Sequence, residues 1–192
     1  MSSDKEVGGG PAGTLEPAET DASAETGASE GTVALRSALD SLAVEWEEGT
    51  RAGETVLTLP GERKLKTVVS LVVRRRTVRL RAFVVRNPDE NHQQVYAFLL
   101  RRNLRLPGIS YAIDASGDVF LVGQFPVELI GEAFLDEVAG AVLSACDEPF
   151  NELLALGFLS AMRREWAWRV DRGESTANLA AFAHLLQSNE AP

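Results

Sequence analysis

Between Leu65 and Val85 the chain alternates with a period of two. Leu65, Thr67, Val69, Leu71 and Val73 fall on one side of a strand, with Lys66, Val68, Ser70 and Val72 on the other. Arg74-Arg75-Arg76 makes a turn, and from Thr77 to Val85 the side formed by Val78, Leu80, Ala82 and Val84 is wholly apolar while Arg79 and Arg81 point away from it. Such a hairpin belongs to an antiparallel sheet with one buried and one partly solvated face. Thr55 to Leu59 predicts a shorter strand ahead of it, ended by the turn chemistry of Pro60-Gly61. Ile109 to Ile113 and Val119 to Gln124 flank Ala115-Ser116-Gly117, which predicts a second hairpin.

Elsewhere the apolar period changes to that of a helix. Val33, Leu35, Leu39, Leu42 and Trp46 predict an amphipathic helix over 32–48, stopped by Gly49. Asn87 reads as an N-cap, with Pro88 in the first turn, Asp89 and Glu90 matching the positive helix start, and Glu90 at the capping-box position. That helix runs to about Leu104 with Val95, Tyr96, Leu99 and Leu100 on a broad apolar arc. Leu135, Val138, Ala139, Val142, Leu143 and Cys146 form one clean stripe. After a restart at Asp147-Glu148-Pro149, a helix is expected through Phe150, Leu154, Phe158 and Ala161 to Trp166 and Trp168, broken at Asp171-Arg172-Gly173. Ser175 or Thr176 then caps a last helix carrying Leu179, Phe182 and Leu186. The order α-β-β-β-α-β-β-α(α) implies an α+β fold, a small antiparallel sheet of about five strands packed by helices.

Residues 1–31 break this pattern: Gly, Ala, Ser, Thr, Glu and Pro predominate, and Val7 and Leu15 are the only large aliphatics after Met1. Seven acids against Lys5 give the segment a charge of −6. It has too little apolar surface to offset its chain entropy, so a disordered acidic tail is expected, with one domain over 32–188. A sharper reading makes it an acidic arm that shields a basic surface of the same molecule.

Charge changes the picture most. The chain of 192 residues has a formal charge of −9, yet residues 63–105 hold twelve Lys or Arg against Asp89 and Glu90 alone. Arginine forks onto carboxylate or phosphate, so Arg74, Arg75, Arg76, Arg79 and Arg81 are candidate partner-binding residues. Three destinations compete for them: the acidic helices of the same chain or of a dimer mate, an acidic protein segment, and nucleic acid or a phosphorylated metabolite. No aromatic residues interleave with these arginines as a base-stacking platform requires, and no helix-turn-helix is visible, so nucleic acid is the weakest of the three. Trp166 and Trp168 add a second candidate surface, because positions two apart point to different helix faces and one indole can enter the core while the other meets a partner.

Candidate chemistry is sparse. His92 is expected on the apolar side of its helix, far in sequence from His184, and reads as a first-turn structural histidine. Cys146 is the single cysteine, so no intrachain disulfide can form; its place on a core stripe implies a buried, inert thiol and its use fits a reducing cytosol. Asp114 and Asp118 flank a turn and read as turn residues, not as a general acid-base pair or a calcium site. Gly61-Glu62-Arg63-Lys64 lacks the second glycine and the Lys-Ser/Thr ending of a phosphate loop. No catalytic, metal or cofactor site is expected. The start of the chain has no apolar signal core and no run approaches a membrane span, so a cytoplasmic location is expected.

Leu59-Pro60-Gly61, Asn87-Pro88-Asp89-Glu90-Asn91-His92, Arg102-Asn103-Leu104, Ile109-Ser110-Tyr111, Gly117-Asp118-Val119 with Phe120 and Leu121, Phe150-Asn151-Glu152-Leu153-Leu154 and Arg172-Gly173-Glu174-Ser175-Thr176 occur in this order. In these motifs the chain, over roughly 32–187, resembles the YbjN family. The resemblance implies a fold like the type III secretion chaperones, homodimerisation, and a role in binding or regulation without known chemistry. It supplies no catalytic residues. The expected function is a non-catalytic, chaperone-like or regulatory adaptor that binds a protein; the alternative is a sensor holding an anionic ligand on its Arg-rich hairpin.

Overall fold

The β-hairpin of alternating residues forms the middle of a six-stranded antiparallel sheet, ordered β1-β2-β3-β4-β6-β5. The computed structural model describes residues 21–42 and 44–186. Helix α1 (Asp21–Ser41) precedes β1 (Trp46–Glu48), β2 (Glu54–Pro60), β3 (Lys66–Arg74) and β4 (Thr77–Val85). Helix α2 (His92–Asn103) leads to β5 (Ile109–Ile113) and β6 (Val119–Pro126), and helices α3 (Glu132–Asp147), α4 (Phe150–Gly157), α5 (Leu159–Arg172) and the single turn α6 (Ala183–Leu186) complete the fold. Short 3-10 turns lie at Val127–Leu129 and Ala177–Phe182.

Burial follows the two-residue period. Thr67, Val69, Leu71 and Val73 of β3 and Val78, Leu80, Ala82 and Val84 of β4 are all buried, as are Leu57 and Leu59 of β2 and Val119 and Leu121 of β6. Leu35 and Leu39 of α1 and Leu135, Val142 and Cys146 of α3 close over them in one core. Removing apolar surface of this kind from water stabilises by about 25 cal/mol per Å², which makes this layer the main source of stability. Met162, Leu179 and Phe182 form a smaller separate cluster under the C-terminal turns. Val33 and Leu65, expected on the apolar side, are exposed. Helix α1 approaches the sheet so closely that a methyl group on Gly31 would lie 2.6 Å from the Val127 side chain and 2.9 Å from that of Val73.

Several boundaries differ from expectation. The helix predicted over 32–48 ends at Ser41, and Trp46–Glu48 forms a sixth strand, where about five were expected, pairing with Val56 and its neighbours. Leu42 and Trp46 are four apart, so their spacing fits a helix as well as the strand in which Trp46 sits. The indole there donates to Asp40 Oδ1 at 2.8 Å beneath the Arg36 guanidinium. The helix α1 also starts at Asp21, inside the segment read as tail; residues 1–20 lie outside the described residues.

Helix α2 begins at His92 after Asn91, in the left-handed region at φ 54°, and not at Asn87. The supposed capping box is used across the molecule instead. Glu90 accepts the Ser160 N–H and hydroxyl, both at 2.7 Å, in the first turn of α5, and these bonds hold its carboxyl below the usual range. The Asn87 N–H donates to Asp118. The long helix expected from Pro149 to Trp168 is two helices divided at Phe158, because the Gly157 carbonyl is engaged by the Asp89 and Glu90 N–H groups. The last predicted helix is mostly the 3-10 turn Ala177–Phe182, with the Ser175 hydroxyl accepting the Ala177 N–H.

One carboxylate ties α3 to the sheet. Buried Asp147 accepts the N–H groups of Arg63 and Lys64 through Oδ1, both at 2.8 Å, at the loop joining β2 and β3. Asp147→Ala leaves two N–H groups without this acceptor and is expected to cost about 1–3 kcal/mol of stability. Urea unfolding reads this as a lower midpoint at unchanged slope. An unmoved midpoint would mean that the loop is held by its own turn.

Candidate partner-binding face of the sheet

Among the described residues, helices cover only one side of the sheet. α1 packs on β3, α3 on β2, β3 and β6, and α2 on β5 and α4, so the side chains of opposite parity remain uncovered. On that side Arg79 stands between Val72 of β3 and Gln124 of β6, and Arg81 between Ser70 and Val122. Arg74, Arg79 and Arg81, with Arg51 from the turn after β1 and with Ser70, Ser110 and Gln124, line an open basin of about 700 Å³. Toward β1 a second recess of about 390 Å³ contains Glu48, Glu54, Val68, Phe83 and Phe120.

The electrostatics of the face are uneven. The Arg81 guanidinium lies 3.6 Å from the Phe120 ring centroid and 3.4 Å from Asp114 Oδ2. Phe83 meets Phe120 edge to face at 5.5 Å, and the Lys64 ammonium lies 5.4 Å from the Phe83 ring. The side chains of Arg74 and Arg79 make no hydrogen bond or ion pair among the described residues, and both are exposed. Glu54 is buried beneath the recess and held in its ionised form chiefly by the Ser70 hydroxyl, with help from the Arg51 N–H at 3.1 Å. Positive charge is thus left unmatched over β4 and β6, while a fixed carboxylate sits toward β1.

The five candidate arginines separate. Arg74, Arg79 and Arg81 meet at the basin, whereas Arg75 and Arg76 extend into solvent from the hairpin turn. The acidic helices do not neutralise them, since those helices lie behind the sheet. Among the described residues only Asp114 approaches one of the five, Arg81. Trp166 is half-buried against the small C-terminal cluster, while Trp168 is 44% exposed under the Arg172 guanidinium at 4.7 Å. Neither tryptophan lines the basin.

Aromatic residues do accompany the arginines, contrary to expectation. Phe83 follows Arg79 and Arg81 on the same side of β4, and Phe120 stands directly opposite Phe83 on β6. The parity of Phe83 was legible, whereas Arg51 comes from the β1–β2 turn and Phe120 from β6, and they become neighbours only through the sheet order. The Arg81 guanidinium already covers one face of the Phe120 ring.

The other candidates have structural surroundings. Asp114 Oδ1 accepts the N–H groups of Ser116 and Asp118, the pattern of a turn. His92 is exposed, not on the apolar side; its Nε2 is 3.2 Å from Asn87 Oδ1 and its ring meets that of Tyr96 edge to face. Cys146 is fully buried, and burial pushes its thiol up to about 11; burial likewise lowers the neighbouring Lys64. Among the described residues no group of three or more His, Cys, Asp or Glu could hold a metal, and no helix is long and apolar enough to cross a membrane.

This arrangement defines an α+β protein whose sheet, among the described residues, carries helices on one side and a basic, partly aromatic face on the other. The chain belongs to the YbjN family, described as "Putative bacterial sensory transduction regulator", whose pattern matches residues 33–155. It is 47% identical over 155 residues to Uncharacterized protein Rv0487 of Mycobacterium tuberculosis, covering 79% of this chain and 85% of that protein. It is 50% identical over 131 residues to Uncharacterized protein ML2442 of Mycobacterium leprae, covering 68% and 71%. Among solved structures it is similar to a chain of the ExsC-ExsE complex, with a TM-score of 0.48 at 15% identity over 66% of this chain and 95% of that one. It is also similar to the Yersinia pestis type III secretion chaperone SycH in complex with a fragment of YscM2, at 0.45, 19%, 66% and 98%.

The thiol offers a direct check on the core. At pH 8 native protein is expected to leave Cys146 unmodified by a disulfide reagent, with roughly one thiol per chain reacting only after unfolding, because a thiol raised well above pH 8 is scarcely ionised. Rapid reaction of the folded chain would place Cys146 at an accessible site.

Proposed function

We propose that this protein is a non-catalytic regulatory adaptor of the cytoplasm that binds an acidic segment of another protein on the uncovered face of its sheet. The observation that carries this reading is the conjunction of unpaired Arg74 and Arg79 with an adjoining apolar strip, in which Val68 and Phe83 are each 41% exposed. An apolar strip supplies affinity by burial, and nearby cations steer an acidic partner and fix its register. The family description, a regulator in sensory transduction, agrees with a role exercised by binding.

A second reading has its own support. The side chains around the basin include four arginines and the donors Ser70, Ser110 and Gln124, a set suited to a phosphorylated metabolite. The apolar strip favours the protein partner, since a small anion has no use for it.

The double substitution Arg79→Glu and Arg81→Glu is expected to lower recovery of the partner from native lysate at least about tenfold at roughly 0.1 M salt, with thermal unfolding shifted by no more than about 2 °C. Recovery equal to that of the unaltered chain would reject the reading. Binding that vanishes between low and moderate salt without any protein being recovered would favour the anionic metabolite.

The homodimer is assigned to the other exposed apolar surface, where β5 forms an open sheet edge beside α2. Leu100 and Ile113 are 64% and 53% exposed there, around an apolar recess of about 290 Å³ between Tyr96, Leu99 and Tyr111. Two β5 edges can pair antiparallel about a twofold axis and bury these side chains. Leu100→Glu with Ile113→Glu is expected to convert the dimer to monomer in sedimentation equilibrium, whereas an unchanged mass would place the contact elsewhere.

A further inference from the structure

The basin holds more positive charge than a carboxylate needs. Its lining contains Arg51, Arg74, Arg79 and Arg81 and no Asp or Glu, whereas Glu54 lines the adjoining recess. We infer that the acidic group this face takes from its partner is a phosphorylated serine or threonine side chain. It sits on Arg51, Arg74 and Arg79, and an apolar side chain four residues away rests on Val68 and Phe83. The inference rests on the partner-binding reading of this face and names the chemistry of the partner.

The disposition of the cations separates a phosphoryl group from carboxylates. Along an extended acidic segment, carboxylates two residues apart recur in a line at about 6.6–6.8 Å. Their counterpart would be a line of cations along one strand. Here Arg74 on β3 and Arg79 on β4 are diagonal neighbours, because Arg74 pairs with Thr77, two positions before Arg79. Such positions lie about 7–8 Å apart, within reach of two arginine side chains. Arg51 enters from a third direction, the turn after β1. That turn is tied to this end of β3 by the Val73 N–H, which donates to the Gly53 carbonyl at 3.1 Å. Three guanidinium groups from three elements suit the three terminal oxygens of a phosphoryl group, whereas one guanidinium fork fills a carboxylate. Arg81 would extend a line from Arg79, but it is already held against Phe120 and Asp114.

Neutral donors complete the basin. Gln124 stands directly opposite Arg79 on β6, and Ser110 reaches the same hollow from β5. Neither side chain has another hydrogen-bond partner among the described residues.

The apolar strip fixes the flank of the segment. From Arg79 the open side of β4 passes Arg81 and reaches Phe83, four residues on. A segment extended along β4 covers that distance, about 13 Å, in four residues of its own. Val68 and Phe83 are the exposed apolar side chains at that point. A free phosphorylated metabolite would leave them uncovered.

Fluorescence anisotropy of labelled nine-residue probes with the full chain tests this. The probe Leu-Thr-Val-Thr-Ser-Thr-Val-Thr-Leu has the same residue order from both ends, so either strand direction brings a leucine to the strip. At about 0.1 M salt, the probe phosphorylated on its central serine is expected to bind at least about tenfold more tightly than a diglutamate probe. That second probe carries glutamate at the centre and two residues after it. Arg79→Lys keeps the charge but loses the fork and is expected to remove most of the difference, whereas Arg101→Gln on α2, outside the basin, keeps it. Replacing both leucines by threonine is expected to weaken the phosphorylated probe at least about threefold. Equal binding of the phosphorylated and diglutamate probes would overturn the inference while leaving an acidic partner in place. Free phosphoserine binding as tightly as the phosphorylated probe would also overturn it and make the basin a small-anion site. So would no binding of the phosphorylated probe, a failure that recovery of an acidic partner through Arg79 and Arg81 would survive.

Discussion

Everything in this molecule hangs on the one-sided burial of β4. Its inward residues Val78, Leu80, Ala82 and Val84 are all at or below 3% exposure, and its outward residues Arg79, Arg81 and Phe83 are exposed. A slip of one residue in its pairing with β3 or β6 would carry two guanidinium groups into the core and expel four apolar side chains. Burying an unpaired charge is among the most unfavourable changes a domain can undergo. The register of the central strands is therefore strongly determined, and with it the position of every cation on the open face. The fold and the placement of these cations depend on the same alternation.

Around this centre the helices are held at their ends by polar contacts between distant residues. Asp147 joins α3 to the β2–β3 loop, and Glu90 joins the segment before α2 to the first turn of α5. The Gly157 carbonyl receives two N–H groups from that same segment. These links satisfy backbone donors that helix starts and loops leave open, and they explain how a modest second cluster around Met162 stays attached to the main core. The C-terminal helices are thereby fixed away from the open face.

Most of the sheet was legible because a period of two is hard to mistake over nine residues, as in β3 and β4. The strand Trp46–Glu48 was not, since three residues give no period and Trp46 continued a helical spacing from Leu35, Leu39 and Leu42. Asn87 through Glu90 carried every local sign of a helix start, yet Glu90 satisfies Ser160, seventy positions away. Local propensity competes with tertiary hydrogen bonds, and here the tertiary partner prevailed. The site was half legible. Arg79 and Arg81 announced themselves by parity, but their convergence with Arg51 and Phe120 depends on strand order, which no local pattern encodes. That no helix among the described residues lies over that face was equally beyond a one-dimensional reading.

The two margins of the sheet are unlike. β1 is only three residues long and presents Glu47 and Glu48, so another strand gains few bonds there and meets negative charge. β5 is longer and borders apolar surface. A sheet with two adhesive margins could add copies without limit and grow into a fibre, whereas one with a single adhesive margin is exhausted once a second copy has joined. If two copies pair through β5 as proposed, the short, acidic first strand leaves the assembly with no second margin on which to grow.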